Sequence, residues 1–380
     1  MRSLVVLGAT GSIGRQALEV AGHLGVPVSG VAARRGSDEL LALAVEHPGS
    51  RVAVAAPTGP ERERFASELG GRVAFGPEAL VEMAASPGSI VLNAVVGSAG
   101  LPASVEALDA GNRLALANKE SLVAGGPVVL RALERGGGEL VPVDSEHSAL
   151  QQCLVGEGHG DVRRVTLTAS GGPFRGMSPD SLEQVTVEQA LDHPTWNMGP
   201  RITIDSATLM NKAFEVIEAH HLFGFAFDDI DVVVHPESIV HAVVEFVDGS
   251  LKAHLGEPDM RVPIQYALVG PARAPGMVAP FSFGNRRLTF EPPDIEAFPC
   301  LRLGYESGRA GGSAPATLNA ADEIAVRAFL DRKIGFASIP VVVERTLADV
   351  EVRQLETVED VMTADREARA VATGHLGASC

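Results

Sequence analysis

The stretch Leu4–Gly14, with the sequence LVVLGATGSIG, predicts the fold of the N-terminal part of this chain. A short apolar run leads into a turn with a glycine at every third position, and a helical pattern follows. In that setting glycines let the backbone approach a pyrophosphate at the N-terminus of a helix. A dinucleotide site is therefore predicted at Gly8, Thr10, Gly11, Ser12 and Ile13. The spacing GxxGxxG differs from the common GxGxxG, so a tight turn without a ligand stays the alternative interpretation.

Outward from this turn, strand-like and helix-like patterns alternate as far as about residue 145. The apolar runs include 28–32, 52–55 and 90–94, and helical patterns lie between them at 16–23, 38–46, 61–69 and 103–110. Such alternation is typical of an α/β fold with a doubly wound, Rossmann-like parallel sheet. We expect residues 1–145 to form a dinucleotide-binding domain.

The pattern changes beyond residue 145, and three further regions are expected. Residues 146–268 predict a central α+β domain with a Gly/Pro-rich loop at about 170–200 and a hairpin at Asp248-Gly249. Closely spaced prolines mark 269–297 as an ordered linker. The remaining residues, 298–380, predict a C-terminal α-helical domain, with helical patterns at 316–330, 338–350 and 357–371.

Composition and charge exclude several classes of protein. The 380 residues, 46% hydrophobic and 21% charged, are typical of a globular chain and exclude intrinsic disorder. With 31 Lys and Arg against 48 Asp and Glu, the net charge of −17 disfavours nucleic acid and membrane surfaces as partners. Neither a signal peptide nor a membrane span is expected. The cysteines, Cys153, Cys300 and Cys380, lack the spacing of a metal site and indicate a reducing, cytoplasmic location.

Positive side chains follow the second predicted strand, where NAD enzymes tend to carry an acidic residue. Arg34 and Arg35, followed by Gly36, suit the 2′-phosphate of NADP(H), which we expect to be preferred over NAD(H). A pair of ordinary surface arginines is the alternative. Asn118 and Glu120 follow a later strand-like run and are expected to face the same crevice.

Two carboxylates end another extended run, at Asp144 and Glu146. Residues two apart in a strand point to the same side, so we expect the two carboxylates to converge. Oxygen ligands of this kind suit Mg²⁺ or Mn²⁺ rather than zinc. A solvated pair of acidic residues at the end of a strand is the alternative.

A second polar cluster lies in the segment Asp205–Glu215. Its apolar residues form one stripe of a predicted helix, whereas Asn211, Lys212 and Glu215 share the other face. Glu215 would add a third carboxylate to a metal site, and the amide and ammonium groups would hold a phosphate. The alternative is the wet face of an ordinary amphipathic helix.

The only tryptophan, Trp196, lies in a loop bounded by glycine and proline residues. Such a loop is able to close over a substrate as a lid. A tryptophan docked permanently on the body of the protein is the alternative.

Taken together, these motifs resemble the 1-deoxy-D-xylulose 5-phosphate reductoisomerase family. The resemblance runs in order over nearly the whole chain. It rests on GATGSIG (8–14), ANKESL (117–122), VDSEHSA (143–149), TASGGPFR (168–175), HPTWNMG (193–199), DSATLMNKAFEVIEA (205–219), HPESIVHAVVEFVDGS (235–250), GEPDMR (256–261) and LNAADEIAV (318–326).

The resemblance implies an N-terminal NADPH domain, a central catalytic domain with a lid, and a C-terminal helical domain, usually in a homodimer. It also implies the family's reaction. Members rearrange 1-deoxy-D-xylulose 5-phosphate to an aldehyde and reduce it with NADPH to 2-C-methyl-D-erythritol 4-phosphate, in the non-mevalonate pathway to isoprenoids.

The resemblance assigns site residues as well. The implied metal ligands are Asp144, Glu146 and Glu215. The implied catalytic residues are Lys119, Glu146 and His193. The implied substrate-binding residues are Lys119, Ser145, Glu146, Ser170, His193, Trp196, Ser206, Asn211, Lys212 and Glu215. The cofactor-binding residues are Gly8, Thr10, Gly11, Ser12, Ile13, Arg34, Arg35, Gly36, Asn118, Glu120, Met198 and Gly199. Within the lid, Trp196 and Met198 would close on substrate and nicotinamide, and His241 would lie near the active site.

One departure leaves a question open. Family members often have a GKN-like triplet where this chain has Arg34-Arg35-Gly36, so the residue that holds the 2′-phosphate is undecided. Two other functions are also possible from the residues alone. One is a metal-dependent, NADP-linked hydroxy-acid or polyol-phosphate dehydrogenase without a carbon-skeleton step, and the other is a non-catalytic NADP-binding sensor.

Overall fold

The computed structural model describes residues 2–196 and 198–377, so Cys380 lies outside the described part. The chain divides into two compact units. The first comprises 1–121, 128–148 and 259–280, and the second comprises 122–127, 149–258 and 281–380. Each unit is therefore assembled from separate stretches of the sequence. The division into functional domains at residue 145 and at 269–297 stays a prediction.

The first unit is built on a seven-stranded parallel sheet. Its strands are β1 (Ser3–Leu7), β2 (Val28–Ala33), β3 (Arg51–Val54), β4 (Val73–Phe75), β5 (Ser89–Asn93), β6 (Arg113–Leu116) and β7 (Glu139–Pro142). They lie in the order β4-β3-β2-β1-β5-β6-β7. The predicted doubly wound parallel sheet is thus confirmed. Its central strands are almost wholly apolar and buried, as expected when helices cover both faces of a sheet.

Helices follow the strands of the first unit in alternation. They are α1 (Ser12–Leu24), α2 (Asp38–Glu46), α3 (Gly59–Leu69), α4 (Pro77–Ala84), α5 (Leu101–Asp109), α6 (Lys119–Gly136) and α7 (Ser145–Leu154), with α12 (Arg261–Val269) added from later in the chain. α6 and α7 also contribute residues to the second unit. Ile264 and Leu268 of α12 complete the apolar core of the first unit.

The strand order reverses between β1 and β5, because β2 lies on one side of β1 and the later strands lie on the other. Ligands of open α/β sheets bind outside the carboxyl ends of the strands at such a reversal. Gly8 follows β1 and Ala94 follows β5, so the glycine-rich turn lies at this point.

The second unit contains a mixed four-stranded sheet in the order β11-β10-β8-β9. Its strands are β8 (Val162–Ala169), β9 (Ile230–Val234), β10 (Val240–Phe246) and β11 (Leu251–Leu255). β8 and β9 are parallel, whereas β10 is antiparallel to β8 and to β11. The hairpin predicted around Asp248-Gly249 is confirmed by the β10–β11 pair, with Gly249 at a φ of 83°.

The helices of the second unit include two short ones in the predicted lid region. They are α8 (Pro179–Leu182), α9 (Val187–Leu191), α10 (Pro200–Ala207), α11 (Met210–Phe223), α13 (Cys300–Ala310), α14 (Ala314–Leu330), α15 (Ser338–Asp349) and α16 (Val358–Leu376). The three C-terminal helical patterns are confirmed by α14, α15 and α16. Among residues 2–196 and 198–377, no helix has the length and apolar character that crossing a bilayer requires.

Two local expectations were wrong. Asp144 and Glu146 do not lie in a strand, because β7 ends at Pro142 and Glu146 belongs to the first turn of α7. The segment Asp205–Glu215 is not one helix. Leu209 has a left-handed φ of 61°, and this residue separates α10 from α11.

Candidate active site

The glycine-rich turn of the first unit is shaped for close approach to its backbone. Gly8 has a φ of 89°, and a side chain there would place a Cβ 2.5 Å from the carbonyl oxygen of Ala94. A Cβ at Gly14 would overlap the Gly8 carbonyl and lie 2.7 Å from the Cα of Ala9. α1 begins at Ser12 and has no side-chain cap, so its first N–H groups are available to an anion. The backbone N–H groups at the start of α1 and the glycines of the turn, which have no side chain, fit the binding of a pyrophosphate.

The two arginines after β2 have different surroundings. Arg35 donates to both carboxylate oxygens of Glu61, with N···O distances of 3.0–3.2 Å. These bonds, together with one from the Thr58 backbone, lower the pKa of Glu61 to about 2. Within the described residues the exposed Arg34 side chain has no hydrogen bond or ion pair. Arg34 is therefore the more available cation for a phosphate.

Glu61 is a residue that the sequence reasoning missed. Its carboxylate also accepts from the backbone N–H of Gly36, at 3.3 Å, and of Thr58, at 2.9 Å. Thr58 and Glu61 form a capping box at the start of α3. The T-x-x-E pattern before this helix was the signal that could have identified Glu61.

Asn118 and Glu120 shape the loop after β5. The Asn118 amide donates to the carbonyl oxygens of Val95 and Gly97, at 2.7 and 3.0 Å. Glu120 accepts from the backbone N–H of Gly97 at 2.9 Å. Both side chains are buried, and together they hold this loop at the carboxyl edge of the sheet.

A cluster of ionised groups follows β7. Lys119 at the start of α6 forms an ion pair with Asp144. The other Asp144 oxygen accepts from the backbone N–H groups of Glu146 and His147, at 3.1 and 3.3 Å. Ser145 Oγ donates to Glu146 at 2.7 Å. Asp144 therefore caps the N-terminus of α7. Glu146 lies in the first turn of that helix and not in a strand.

The third predicted carboxylate lies in the second unit. Glu215 on α11 is 1% exposed, and it accepts from the Asn211 amide at 2.6 Å and from Lys212. Lys212 is also buried, so this part of the helix is enclosed and is not the wet face of the alternative interpretation. Asp144, Glu146 and Glu215 each offer a carboxylate oxygen, the ligand type that Mg²⁺ and Mn²⁺ prefer. The donor chemistry fits a hard divalent cation.

Three polar side chains of the second unit are joined by hydrogen bonds. His193 Nε2 lies 3.0 Å from Ser170 Oγ and 3.2 Å from Ser206 Oγ. His193 Nδ1 accepts from the backbone N–H groups of Thr195 and Trp196, at 3.1 and 2.9 Å. The ring proton must therefore be on Nε2, between the two hydroxyls. Burial lowers the pKa of His193, which keeps its imidazole neutral at physiological pH.

Three of the remaining predicted residues of the second unit lie in the predicted lid region, and the fourth lies in the sheet. Trp196 and Met198 are half-buried, and the exposed Gly199 caps the N-terminus of α10. His241 is buried in β10.

Family models cover most of the chain. The model described as 1-deoxy-D-xylulose 5-phosphate reductoisomerase matches residues 4–126. Models of the C-terminal domains of the same enzyme match residues 140–223 and 255–371. These matches include the glycine-rich turn and all three carboxylates.

Curated relatives agree with these models. The enzyme named 1-deoxy-D-xylulose 5-phosphate reductoisomerase from Xanthomonas campestris pv. campestris (strain 8004) is 49% identical over 377 residues, covering 97% of this chain and 95% of that protein. The namesake from Pelotomaculum thermopropionicum is 46% identical and covers 97% of each chain.

Solved structures are similar over the whole length. The Zymomonas mobilis reductoisomerase in complex with NADPH is 42% identical, covers 99% of both chains and has a TM-score of 0.91. A DOX-P reductoisomerase in complex with NADPH, fosmidomycin and magnesium is 35% identical, covers 99% of this chain and 98% of that one, and also has a TM-score of 0.91. By its sequence and its fold, this chain belongs to the 1-deoxy-D-xylulose 5-phosphate reductoisomerase family.

Proposed function

We propose that this chain converts 1-deoxy-D-xylulose 5-phosphate to 2-C-methyl-D-erythritol 4-phosphate, using NADPH and a divalent cation, in the non-mevalonate route to isoprenoids. The observation that carries the proposal is the relative named 1-deoxy-D-xylulose 5-phosphate reductoisomerase, which is 49% identical across 97% of the chain. The chemistry of the site residues is in accord with it. The chain has a glycine-rich turn that suits a pyrophosphate, three carboxylates that suit a divalent cation, and hydroxyl, amide and ammonium donors that suit a phosphate.

The metal ligands in this proposal are Asp144, Glu146 and Glu215. Mg²⁺ and Mn²⁺ prefer such carboxylate oxygens, and Lys119 and Lys212 limit the repulsion within the acidic groups. When bound, the cation supplies polarisation of the substrate carbonyl and a lower pKa for the neighbouring hydroxyl.

The substrate phosphate is assigned to Ser170, Ser206, Asn211 and Lys212. Hydroxyl, amide and ammonium groups all donate to phosphate oxygens, and Lys212 is the buried charge among them. The Nε2 proton of His193 lies between the two serine hydroxyls, which orients both for this role. Binding the phosphate away from the reacting carbons supplies energy for ordering the rest of the substrate.

The reacting end of the substrate is assigned to Lys119, Ser145 and Glu146. The Lys119 ammonium would offset negative charge that develops on a substrate oxygen. We assign the proton acceptor to Glu146, whose carboxylate is oriented by the Ser145 hydroxyl. His193 contributes by orienting its serine neighbours. Trp196 and Met198 would exclude water when the lid closes.

NADPH is assigned to the first unit and the lid. Gly8, Thr10, Gly11, Ser12 and Ile13 would bind the pyrophosphate, and Arg34, Arg35 and Gly36 the 2′-phosphate. Asn118 and Glu120 would contribute to cofactor binding by holding the loop after β5 in place. Met198 and Gly199 would contact the nicotinamide end of the cofactor. We also propose a cytoplasmic location, the three functional domains predicted above, and a homodimer. Light scattering of the purified protein tests the homodimer.

NADPH oxidation with 1-deoxy-D-xylulose 5-phosphate tests the function directly. Activity should disappear with EDTA and return with Mg²⁺ or Mn²⁺. NMR of the product should show a branched carbon chain. An unbranched product would instead identify a simple dehydrogenase, and NADPH binding without turnover would identify a sensor.

Replacing Arg34 by alanine should weaken NADPH binding. A charged hydrogen bond is worth about 1.5–3 kcal/mol, so we expect the KM for NADPH to rise roughly 10- to 100-fold. Turnover with NADH should not change, because NADH has no 2′-phosphate. The matched control is Arg51→Ala, at the amino end of β3 and away from the ligand edge. Equal loss with both cofactors would contradict the assignment.

Replacing Trp196 by alanine should damage catalysis without unfolding the protein. The indole is half-buried in a loop, so its loss removes little core packing but opens the lid over the substrate. We expect kcat/KM for the substrate to fall roughly tenfold or more, with an unchanged circular dichroism spectrum. Unaltered kinetics would exclude the lid function.

A further inference from the structure

A cluster of charged side chains joins the short helix α10, which carries Ser206, to α14. Arg201 lies in the first turn of α10, and its side chain is 16% exposed. Its guanidinium donates to Asn319 Oδ1 at 2.8 Å and to Glu323 at 3.4 Å, and it lies 3.5 Å from a carboxylate oxygen of Asp322. These three partners share one face of α14, because they are three and four residues apart.

The orientation of α10 is set by the contacts that its own residues make, because α10 does not continue into α11. α10 ends at Ala207, and the left-handed Leu209 interrupts the helix before α11 begins at Met210. A left-handed leucine is uncommon, and it ends the regular i to i−4 hydrogen bonding of the chain. α10 is therefore not a rigid extension of the longer helix, and Arg201 adds charged contacts with α14 to the apolar packing of Ile204 and Ala207.

Burial of the charged groups in this cluster costs electrostatic free energy. Asp322 is fully buried, Asp205 on α10 is 4% exposed, and both carboxylates lie within 4 Å of the Arg201 guanidinium. Burial raises the pKa of Asp322 to about 6, although Arg201 and a hydrogen bond with Asp205 oppose that shift. Buried ion pairs are often no more stabilising than apolar side chains of the same size. Stability alone does not account for this arrangement.

We propose that Arg201 is a positioning residue for substrate binding, which holds α10 so that Ser206 stays in reach of the substrate phosphate. The inference rests on the proposed function, in which Ser206 binds that phosphate. Ser206 Oγ lies 3.2 Å from His193 Nε2, a distance that a small tilt of α10 would lengthen beyond hydrogen bonding.

The test replaces the ion pair by apolar side chains of similar size, in the double variant Arg201→Met/Asp322→Leu. We expect the double variant to fold with a lowered melting temperature, because the buried Asp205 loses its contact with the Arg201 guanidinium even though the buried charge of Asp322 leaves with it. The KM for 1-deoxy-D-xylulose 5-phosphate should rise roughly tenfold, since displacement of binding groups by a fraction of an ångström weakens binding. The KM for NADPH should not change, and kcat should fall far less than the substrate KM rises.

Arg369→Met is the matched control. Arg369 on α16 forms ion pairs with Glu323 and Asp365 in the same cluster, at 2.6 Å each. Its described contacts do not include α10. This variant should lower the melting temperature and leave the substrate KM unchanged.

A folded double variant with the wild-type substrate KM would overturn the proposal. If the double variant does not fold, Arg201→Lys decides. Lysine keeps the positive charge but lacks the planar guanidinium, which donates to several acceptors at once. The substrate KM of this variant should therefore rise, by a smaller factor than the tenfold expected above. A wild-type KM would reject the positioning role.

The proposed function is tested separately by the wild-type protein. If that protein fails to turn over the substrate, inorganic phosphate becomes the probe for Arg201. Phosphate should raise the melting temperature of the wild type, and should raise that of the double variant by less. Equal shifts in both proteins would reject the positioning role.

Discussion

Glu146→Gln is expected to lower kcat by on the order of 10³-fold, because a metal ligand and the proposed proton acceptor are lost together. The glutamine keeps the size of the side chain and an oxygen that accepts from Ser145, so the start of α7 should remain folded. NADPH binding, measured by fluorescence, should not change. Calorimetry should show weaker binding of Mn²⁺.

Glu157→Gln is the control for this prediction. Glu157 is a surface carboxylate that forms an ion pair with Lys252, so its loss should affect neither kcat nor Mn²⁺ binding. Near-normal turnover of the Glu146→Gln protein would remove Glu146 from the mechanism.

Gly14→Ala is expected to weaken NADPH binding strongly. The new Cβ would overlap the Gly8 carbonyl and press on the backbone of Ala9, neither of which is able to move as a flexible side chain does. Overpacking of this kind costs about 1–3 kcal/mol, which corresponds to roughly a 10- to 100-fold higher Kd when the displaced turn is the binding site. Fluorescence titration measures the Kd, and thermal unfolding measures the stability.

The same helix offers the control, Gly22→Ala. A Cβ at Gly22 meets no atom within 4 Å, and alanine favours a helix interior by about 0.5–1 kcal/mol over glycine. This variant should therefore be slightly more stable and bind NADPH normally. Normal NADPH binding by Gly14→Ala would show that the turn does not approach the cofactor.

Much of the fold could be predicted from periodicity. The run at Leu4–Leu7 and the helical pattern after it correspond to β1 and α1, and the hairpin predicted at Asp248-Gly249 is formed by β10 and β11. These elements have strong local signals, so little tertiary information was needed. α13 was missed, because no helical pattern was identified directly after the proline-rich stretch.

The errors have identifiable physical causes. Asp144 was assigned to a strand, although an aspartate before Ser-Glu is also a signal for the start of a helix. The break at Leu209 could not be predicted, since leucine has no preference for a left-handed conformation.

For the site, the residue types were predictable but their surroundings were not. The pattern around Lys212 and Glu215 predicted the residues of a binding site but left the solvated face of an ordinary amphipathic helix as the alternative. In the structure α11 packs against α13 as well as β8 and β9, so both faces are covered. Periodicity in one segment does not show how many neighbours a helix has. Likewise, Arg34 and Arg35 look equivalent in the sequence, and only the contact with Glu61 distinguishes them.

The late arrival of α12 in the first unit limits how this protein can be dissected. Ile264 and Leu268 enter the apolar core of the dinucleotide-binding fold only after more than a hundred intervening residues have been made. A truncated chain that stops at residue 145 would leave that surface open, and each missing side chain withholds about 1.5–3 kcal/mol of burial. During synthesis, too, the cofactor fold cannot be completed before residues 149–258 of the second unit have been made.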